Sequence, residues 1–143
     1  MIKLIYCEVE NMKKIALITT NKILAQSLDS AMKSMPNLEF EFFLLLNPGQ
    51  ALLDAEVLEI DVALIDMGLI DVMGNNAKKE TILSFCERLH DNIPNGHLLL
   101  LVSQDDLENR KIAIEAKKKK MVDDYVFFDA SLKYLFAKVQ ALG

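Results

Sequence analysis

Short apolar runs recur along the chain and predict the strands of a sheet. Each run is too short for a buried helix, and most end at a turn residue or a helix-capping residue. The predicted strands are 12–20, 38–46, 62–66, 97–103 and 125–128. Several of these runs are continuously apolar, as in VALID and HLLLLV, whereas a strand with one face in water alternates. The pattern therefore predicts a sheet that is covered on both faces.

Between these runs, apolar residues recur at steps of three and four, which is the spacing of one helix face. The clearest stripe begins at the capping residue Asn21 and ends before Pro36. A turn at Asn47, Pro48 and Gly49 is predicted to precede the second helix. The remaining helices are predicted over 50–58, around 82–89 and, after a Ser131 cap, over 132–142. A less regular helix is predicted over 107–116, with Leu107, Ile112, Ile114 and Ala116 as its apolar residues.

Five predicted strands alternate with five predicted helices. This order predicts right-handed crossovers and a three-layer α/β/α, doubly wound parallel sheet, whose ligands bind beyond the carboxyl ends of the strands. The plan occupies residues 12–143 as one domain and leaves residues 1–11 as an N-terminal extension. Alternating Ile2, Leu4 and Tyr6 would also allow the extension to form an additional edge strand.

Composition narrows the class of protein. The chain has 143 residues, 52% of them hydrophobic, and a net charge of −5, which argues against disorder and against nonspecific nucleic-acid binding. Its apolar runs are far shorter than the roughly 20 residues that span a bilayer. Glu8 and Glu10 interrupt the apolar start, so no secretory signal is predicted. Two distant cysteines, Cys7 and Cys86, predict neither disulfides nor zinc and favour the cytoplasm.

Three strand ends carry candidate chemistry. Asp66 ends the third strand before a glycine-containing loop, Ser103 ends the fourth, and Asp123-Asp124-Tyr125 opens the fifth. In this order they resemble the receiver domains of bacterial response regulators in two-component and phosphorelay signalling. The resemblance implies a CheY-like, flavodoxin-like sheet of order 2-1-3-4-5, with Asp66 as phosphoacceptor and Ser103 as a phosphate contact.

The chain departs from that family at two features. The acidic pair that holds Mg²⁺ in the family is matched by Thr19 and Thr20, and the fifth-strand lysine is matched by Phe128. A single carboxylate binds Mg²⁺ weakly, and phosphoryl transfer needs positive charge at the site. We therefore expect a degenerate receiver that has no cofactor or metal and is not controlled by conventional phosphorylation of Asp66.

Plain structural roles fit the same residues. Asp66 could cap the loop that follows it, Ser103 could cap the turn into the fourth helix, and Thr19 and Thr20 could satisfy backbone groups. The basic run 117–120 is explained by the favourable position of cations at a helix C-terminus, although it could also meet an acidic partner, a membrane or nucleic acid.

Aromatic residues cluster in the last third of the chain. In the resembled family the fourth helix, fifth strand and fifth helix form the output or dimer face. Here that region contains Tyr125, Phe127 and Tyr134, which are candidate interface anchors. We expect a protein partner or a second copy of the chain at this face, and no contact with membrane or nucleic acid.

Two other functions were weighed from the residues. The first is a genuine phosphorylation switch at Asp66. The second is an enzyme with Asp66 as nucleophile, but aspartyl-phosphate enzymes need a second Asp two positions later, and position 68 is Gly. TTNKIL lacks the glycines of a phosphate loop, and His90 and His97 have no third metal ligand nearby. The sequence therefore predicts that the chain is not an enzyme.

Overall fold

The computed structural model describes residues 12–34, 40–68, 78–128 and 132–142. Strands and helices alternate through these residues. The strands are β1 (Lys13–Ile18), β2 (Phe40–Leu45), β3 (Val62–Asp66), β4 (His97–Val102) and β5 (Asp124–Phe127). The helices are α1 (Lys22–Ser34), α2 (Pro48–Leu58), α3 (Lys78–Asn92), α4 (Leu107–Lys118) and α5 (Leu132–Ala141).

The strands form one parallel sheet of order β2-β1-β3-β4-β5. The central strand β3 is buried at every position, whereas the edge strands β2 and β5 are largely half-buried. Continuous apolar residues suit the centre of such a sheet because helices cover both of its faces. The predicted fold class and strand order are confirmed.

Side chains alternate between two core layers on either face of the sheet. One layer holds Ala16, Ala63 and Leu100 beneath α2, α3 and α4. The other holds Leu17, Leu64 and Leu101 beneath α1 and α5. Both faces of the sheet are thus dry, and the polar side chains of the central strands are confined to the strand ends.

The predicted turn at Asn47, Pro48 and Gly49 is wrong in its last two residues. The helix α2 begins at Pro48, two residues earlier than predicted. Asn47 is its N-cap, and the Asn47 side chain accepts a hydrogen bond from the Gly49 amide. Proline is favoured in the first turn because its missing N–H has no helical partner there. The Asn-Pro pair is a helix start rather than a turn.

The predicted apolar stripe of α4 is also wrong in part. Leu107 is 66% exposed and Ile114 is 37% exposed, although both were expected to face the core. The buried face consists of Asn109, Ile112, Ala113 and Ala116, which recur with helical spacing. This stripe was hidden in the sequence because one member is polar and two are alanines.

Some predictions concern other parts of the chain. The N-terminal extension 1–11 with its edge strand, the end of the first helix before Pro36 and the Ser131 cap lie outside the described residues. The division into an extension and a domain therefore stays a prediction. Of the described helices, none is long and apolar enough to cross a membrane.

Candidate functional site

The carboxyl ends of the parallel strands meet at one edge of the sheet, as this architecture requires. A cavity of about 260 Å³ opens there. Its described lining residues come from the ends of the strands and the start of α4: Thr20, Asn21, Asp66, Met67, Gly68, Leu101, Ser103, Asp106, Asn109 and Phe128. The topology therefore brings the predicted residues Thr20, Asp66, Ser103 and Phe128 together, with Thr19 directly bonded to Asp66.

Asp66 lies at the centre of this edge and is 6% exposed. The Thr19 hydroxyl donates to Asp66 Oδ2 at 2.6 Å, and the Gly68 amide donates to Asp66 Oδ1 at 2.9 Å. A Cβ atom at position 68 would lie 3.2 Å from Asp66 Oδ1, so glycine suits this close approach. Asp66 thus caps the loop after β3, and both of its described partners are uncharged.

Thr19 connects this carboxylate to the start of α1. It is completely buried, and its Oγ1 atom accepts a hydrogen bond from the Asn21 amide at 2.9 Å while its hydroxyl proton goes to Asp66. Asn21 in turn caps α1, because its Oδ1 atom accepts from the amides of Ile23 and Leu24. A carboxylate at position 19 could not donate to Asp66, so the hydroxyl defines a different site.

Ser103 and Asp106 form the opposite side of the cavity. Asp106, rather than Ser103, is the N-cap of α4, since its Oδ1 atom accepts from the Asn109 amide at 3.0 Å. The Asp105 amide donates to Ser103 Oγ at 3.4 Å in the preceding turn. Ser103 therefore holds the turn that leads into α4 and also faces the cavity.

Sequence reasoning missed Asn109. It is 4% exposed, and its Oδ1 atom is the only buried side-chain polar atom among the described residues that has no hydrogen-bond partner. Buried polar atoms are nearly always paired, so this one calls for an explanation. The sequence did contain one signal: Asn109 is a polar residue at a position whose spacing from Ile112, Ala113 and Ala116 places it on the buried face of α4, three residues after the Asp106 cap.

The comparisons with known proteins rest on structure. The sequence matches no protein family model and no curated protein. The receiver domain of a Francisella response regulator is 22% identical, with a TM-score of 0.67 over 91% of this chain and 95% of that one. A response regulator from Thermotoga maritima is 17% identical, with a TM-score of 0.68 over 92% and 97%. An adenylate cyclase from Rhodopirellula baltica is 19% identical, with a TM-score of 0.69 over 91% and 86%.

This is the CheY-like receiver fold. The match extends over nearly the whole of this chain and of the response-regulator structures, and the strand order is the same as that implied by the resemblance at Asp66 and Ser103. At these identities the likeness establishes the fold alone. What the site does must be argued from its own residues.

Mg²⁺, which the receiver family uses, does not fit the described donors of this receiver fold. The ion requires near-octahedral oxygen ligands. Here both oxygens of Asp66 accept hydrogen bonds, and the proton of Thr19 is directed at one of them. Within the described parts of the chain, no group of three His, Cys, Asp or Glu side chains is placed to hold a metal ion.

The predicted interface aromatics differ in exposure. Tyr134 on α5 is 51% exposed. Tyr125 and Phe127 are half-buried against the core, with their rings edge to face and 6.0 Å apart. Lys117 lies over Tyr125 and Arg110 lies over Phe127, at 5.8 and 5.3 Å from the ring centroids. Of the three candidates, Tyr134 offers the most surface.

An ion cluster joins the elements of this face of the receiver fold. Lys117 from α4 lies 2.9 Å from Asp124 Oδ1, and Lys138 from α5 pairs with Asp124 Oδ2. Partial burial alone would raise the pKa of Asp124, but hydrogen bonds from Lys138 and Lys117 outweigh it and hold that pKa below its usual value. The hydrogen bond to Asp124 likewise raises the pKa of Lys138 against the opposing effect of burial.

Cys86 is a buried free cysteine and adds no reactive group to the protein. Its side chain is completely buried in α3, and this burial raises the pKa of its thiol to about 12. Because a thiolate is the reactive form of cysteine, such a thiol is inert. The thiol of Cys86 therefore adds no reactive group to the site around Asp66.

Proposed function

We propose that this chain is an atypical receiver-like signalling module that acts through protein contacts and is not controlled by conventional phosphorylation of Asp66. The observation that carries the proposal is the buried hydrogen bond from Thr19 to Asp66. A neutral hydroxyl occupies the place beside the acceptor carboxylate where the resembled family supplies an acidic residue for Mg²⁺. The proposed setting is two-component or phosphorelay signalling in a bacterial cytoplasm.

Charge supports this proposal. Transfer of a phosphoryl group to a carboxylate depends on cations that neutralise the transferred oxygens. The described lining residues of the cavity include two carboxylates, Asp66 and Asp106, and no Lys or Arg. Phe128 lines the cavity where the family has its lysine, and an aromatic ring cannot form that ion pair. We propose that the site functions without Mg²⁺.

The test is an amide NMR titration of the full chain with Mg²⁺ and then with beryllofluoride, which mimics an acyl phosphate. The expected result is no saturable shift at Asp66, Gly68 or Ser103 through millimolar Mg²⁺. Asp66→Asn is the control. Saturable shifts that spread from these amides to β5 and α5, and that disappear in the control, would sink the proposal.

Such shifts would establish the alternative, a genuine phosphoacceptor switched at Asp66. One observation favours it, namely that Asp66 and Ser103 line the same cavity. A second alternative, an enzyme with Asp66 as nucleophile, lacks its acid/base because position 68 is Gly. The similar adenylate cyclase structure shares only the fold at 19% identity. We therefore propose no enzymatic activity.

We propose that α4, β5 and α5 form the partner face, and that a second copy of the chain is one partner. Tyr134 is 51% exposed on α5, and Leu107 is 66% exposed on α4. When a partner protein covers apolar and aromatic side chains at these exposures, their burial contributes favourably to the free energy of association. A negatively charged nucleic acid or membrane surface is a less suitable partner for a chain of net charge −5.

Tyr134→Ser tests this face by sedimentation over a range of concentrations. We expect the wild-type chain to self-associate and the variant to shift toward monomer. Val57→Ser is the matched control because Val57 is 71% exposed on α2, outside the proposed face. A monomeric wild-type chain would contradict homodimerisation, and an equal effect of Val57→Ser would contradict the location.

A further inference from the structure

The outer edge of β2 is apolar and open in the described part of the chain. β2 is the first strand of the sheet, and β1 is its one strand neighbour among the described residues. It has six residues, five of them apolar and half-buried or buried, and its single charge is that of Glu41. Sheets ordinarily protect an open edge with charges, proline or a very short strand, because an unpaired apolar edge associates with other strands. The edge of β2 therefore calls for a covering segment.

The backbone of β2 presents hydrogen-bonding groups to this edge. The Leu45 carbonyl accepts from the amide of Thr19, which follows β1, so this carbonyl points toward β1. Successive residues of a strand direct their N–H and C=O groups to opposite sides. The groups of Phe43 therefore also point toward β1, whereas those of Phe42 and Leu44 point outward. A strand added at this edge would pair with Phe42 and Leu44.

The opposite edge of the sheet is protected where β2 is not. β5 is four residues long, and the Tyr125 amide donates to the Asp124 side chain at 2.8 Å. Asp124 also pairs with Lys117 and Lys138, which places charge along that edge. Short length and charge both keep a sheet edge from pairing with another strand. Of the two edges, β2 is thus the one that is ready to accept a strand.

A second cavity lies beside β2, on the face of the sheet that α1 covers. It has a volume of about 260 Å³ and is lined by Asp29, Met32, Lys33, Phe40 and Phe42. The side chains of Asp29 and Lys33 pair with each other at 2.9 Å, and the other lining residues are apolar. Alternate side chains of a strand beside β2 would extend over this cavity. The edge therefore fits a strand with apolar side chains at alternate positions.

Residues 2–7 of this chain have that pattern, with Ile2, Leu4 and Tyr6 at alternate positions. We propose that residues 2–7 form an antiparallel sixth strand on the outer edge of β2, with Leu4 opposite Phe42. The side chains of Ile2, Leu4 and Tyr6 then share a face of the sheet with Phe42 and cover the second cavity.

The connection to β1 sets the direction of the added strand. β1 and β2 are parallel and begin at the same level, because Lys13 lies opposite Phe40. The outer edge of β2 is two strand spacings, about 10 Å, from β1. Residues 8–12 reach roughly 17 Å when extended, which suffices if the added strand ends where β1 begins. A parallel strand would instead end about 20 Å away along the sheet, beyond this reach.

The proposed register also brings opposite charges together. With Leu4 opposite Phe42, the single cation of residues 2–7, Lys3, lies diagonal to Glu41 and on the same face of the sheet. Opposite charges on one face of paired strands stabilise the pairing. β2 and β5 are opposite edges of the sheet, so the inference does not depend on the partner face proposed above.

Hydrogen exchange of the full chain, followed by NMR, tests the pairing. The Phe42 and Leu44 amides should be protected in the wild-type chain because they donate to the added strand. Leu4→Pro removes the N–H that faces Phe42 and should make both amides exchange at least about tenfold faster. Ile5→Pro is the matched control, since the Ile5 N–H faces away from β2 and an edge strand tolerates proline there. Rapid exchange in the wild-type chain, or equal acceleration in the two variants, would overturn the proposal.

A disulfide tests the register without proline. Ile5 and Glu41 would be directly opposite at non-hydrogen-bonded positions, where Cα atoms lie about 4.5 Å apart and a disulfide fits. Ile5→Cys combined with Glu41→Cys, in a Cys7→Ser background, should oxidise to a disulfide within one chain. Leu4→Cys combined with Glu41→Cys in the same background is the matched control, because Leu4 would point to the other face of the sheet.

Mass spectrometry under non-reducing conditions separates the outcomes. A disulfide within one chain that forms in the Ile5 variant and not in the Leu4 control supports the proposal. Equal yields in the two variants would overturn it. So would a disulfide between two chains, or protection of the Phe42 amide that rises with protein concentration, because these results would assign the edge to a second copy of the chain.

Discussion

Asp66 and Asp124 belong to the same sheet but lie two strands apart and at opposite strand ends, and they are stabilised in opposite ways. Asp66 ends the central strand β3, is 6% exposed, and accepts from the Thr19 hydroxyl and the Gly68 amide. Asp124 begins the edge strand β5, has a side chain that is 14% exposed, and pairs with Lys117 and Lys138. The more deeply buried carboxylate is the one without a described cation.

This difference indicates that the charge of Asp124 has a structural role, whereas the charge of Asp66 is a candidate for binding. The two lysines come from α4 and α5, so the Asp124 cluster ties two helices to the strand between them. The neutral partners of Asp66 leave its charge to be balanced from elsewhere. A buried polar network that is only partly satisfied costs stability, and such a cost is common where a protein binds something.

Thr19→Val should produce the largest loss of stability among the variants that probe this contrast. The change preserves side-chain shape but removes the donor to Asp66 and the acceptor for the Asn21 amide. Because both groups lie at a buried site, we expect the free energy of unfolding to fall by about 2 kcal/mol. Urea denaturation measures it.

Thr20→Val is the matched control for this loss. Thr20 lines the cavity but is only half-buried, so the same chemical change there should cost less than about 0.5 kcal/mol. Equal losses in the two variants would show that the Thr19–Asp66 bond contributes nothing specific.

Asn109→Leu should act in the opposite direction. The variant replaces an unpartnered buried acceptor with an apolar side chain of similar size, so the free energy of unfolding should rise by about 1 kcal/mol. Asn92→Leu is the control, because Asn92 Nδ2 donates to the Leu52 carbonyl at 2.9 Å and its loss should destabilise the chain. A loss of stability in Asn109→Leu would mean that the side chain already has a stabilising role in the unliganded fold.

The fold could be predicted from the sequence to a greater depth than the site could. Continuously apolar strands such as VALID and the alternation of strands with helices determine a covered parallel sheet, and strand ends then locate Asp66 and Ser103. The sequence-based predictions were wrong where the same local residue pattern is compatible with two structures. Asn47-Pro48 can start a helix as well as a turn, and Leu107 and Ile114 are apolar residues on an exposed face.

The hydrogen bonds of the cavity could not be predicted in the same way. No residue in the sequence near Thr19 indicates that its hydroxyl donates a hydrogen bond to an aspartate 47 positions away. Asn109 carries no motif, and only its place between the buried positions of α4 and the Asp106 cap makes it notable. These contacts depend on the register between β1 and β3 and on the rotation of a helix, which are tertiary properties.

Asp124→Asn should have a smaller effect than Thr19→Val or Asn109→Leu and a distinctive pH dependence. The lysine pairs lie near the surface, where exposed ion pairs contribute at most about 1 kcal/mol, so the loss at pH 7 should be below that value. The pKa of Asp124 is lower in the folded chain than its usual value, so its stabilisation is present at neutral pH. It is lost as the pH falls through the folded pKa, below the unfolded value of about 3.9.

The stability difference between wild type and Asp124→Asn should therefore be constant from about pH 5 to about pH 10 and shrink toward zero in acid. Lys138 sets the alkaline limit, since its raised pKa means that its contribution persists until the pH exceeds the ordinary lysine value. Urea denaturation at a series of pH values measures the difference, with Asp29→Asn at the exposed Lys33 pair as the control. A difference that grows in acid would contradict the ion-pair origin and would remove the contrast between Asp124 and Asp66.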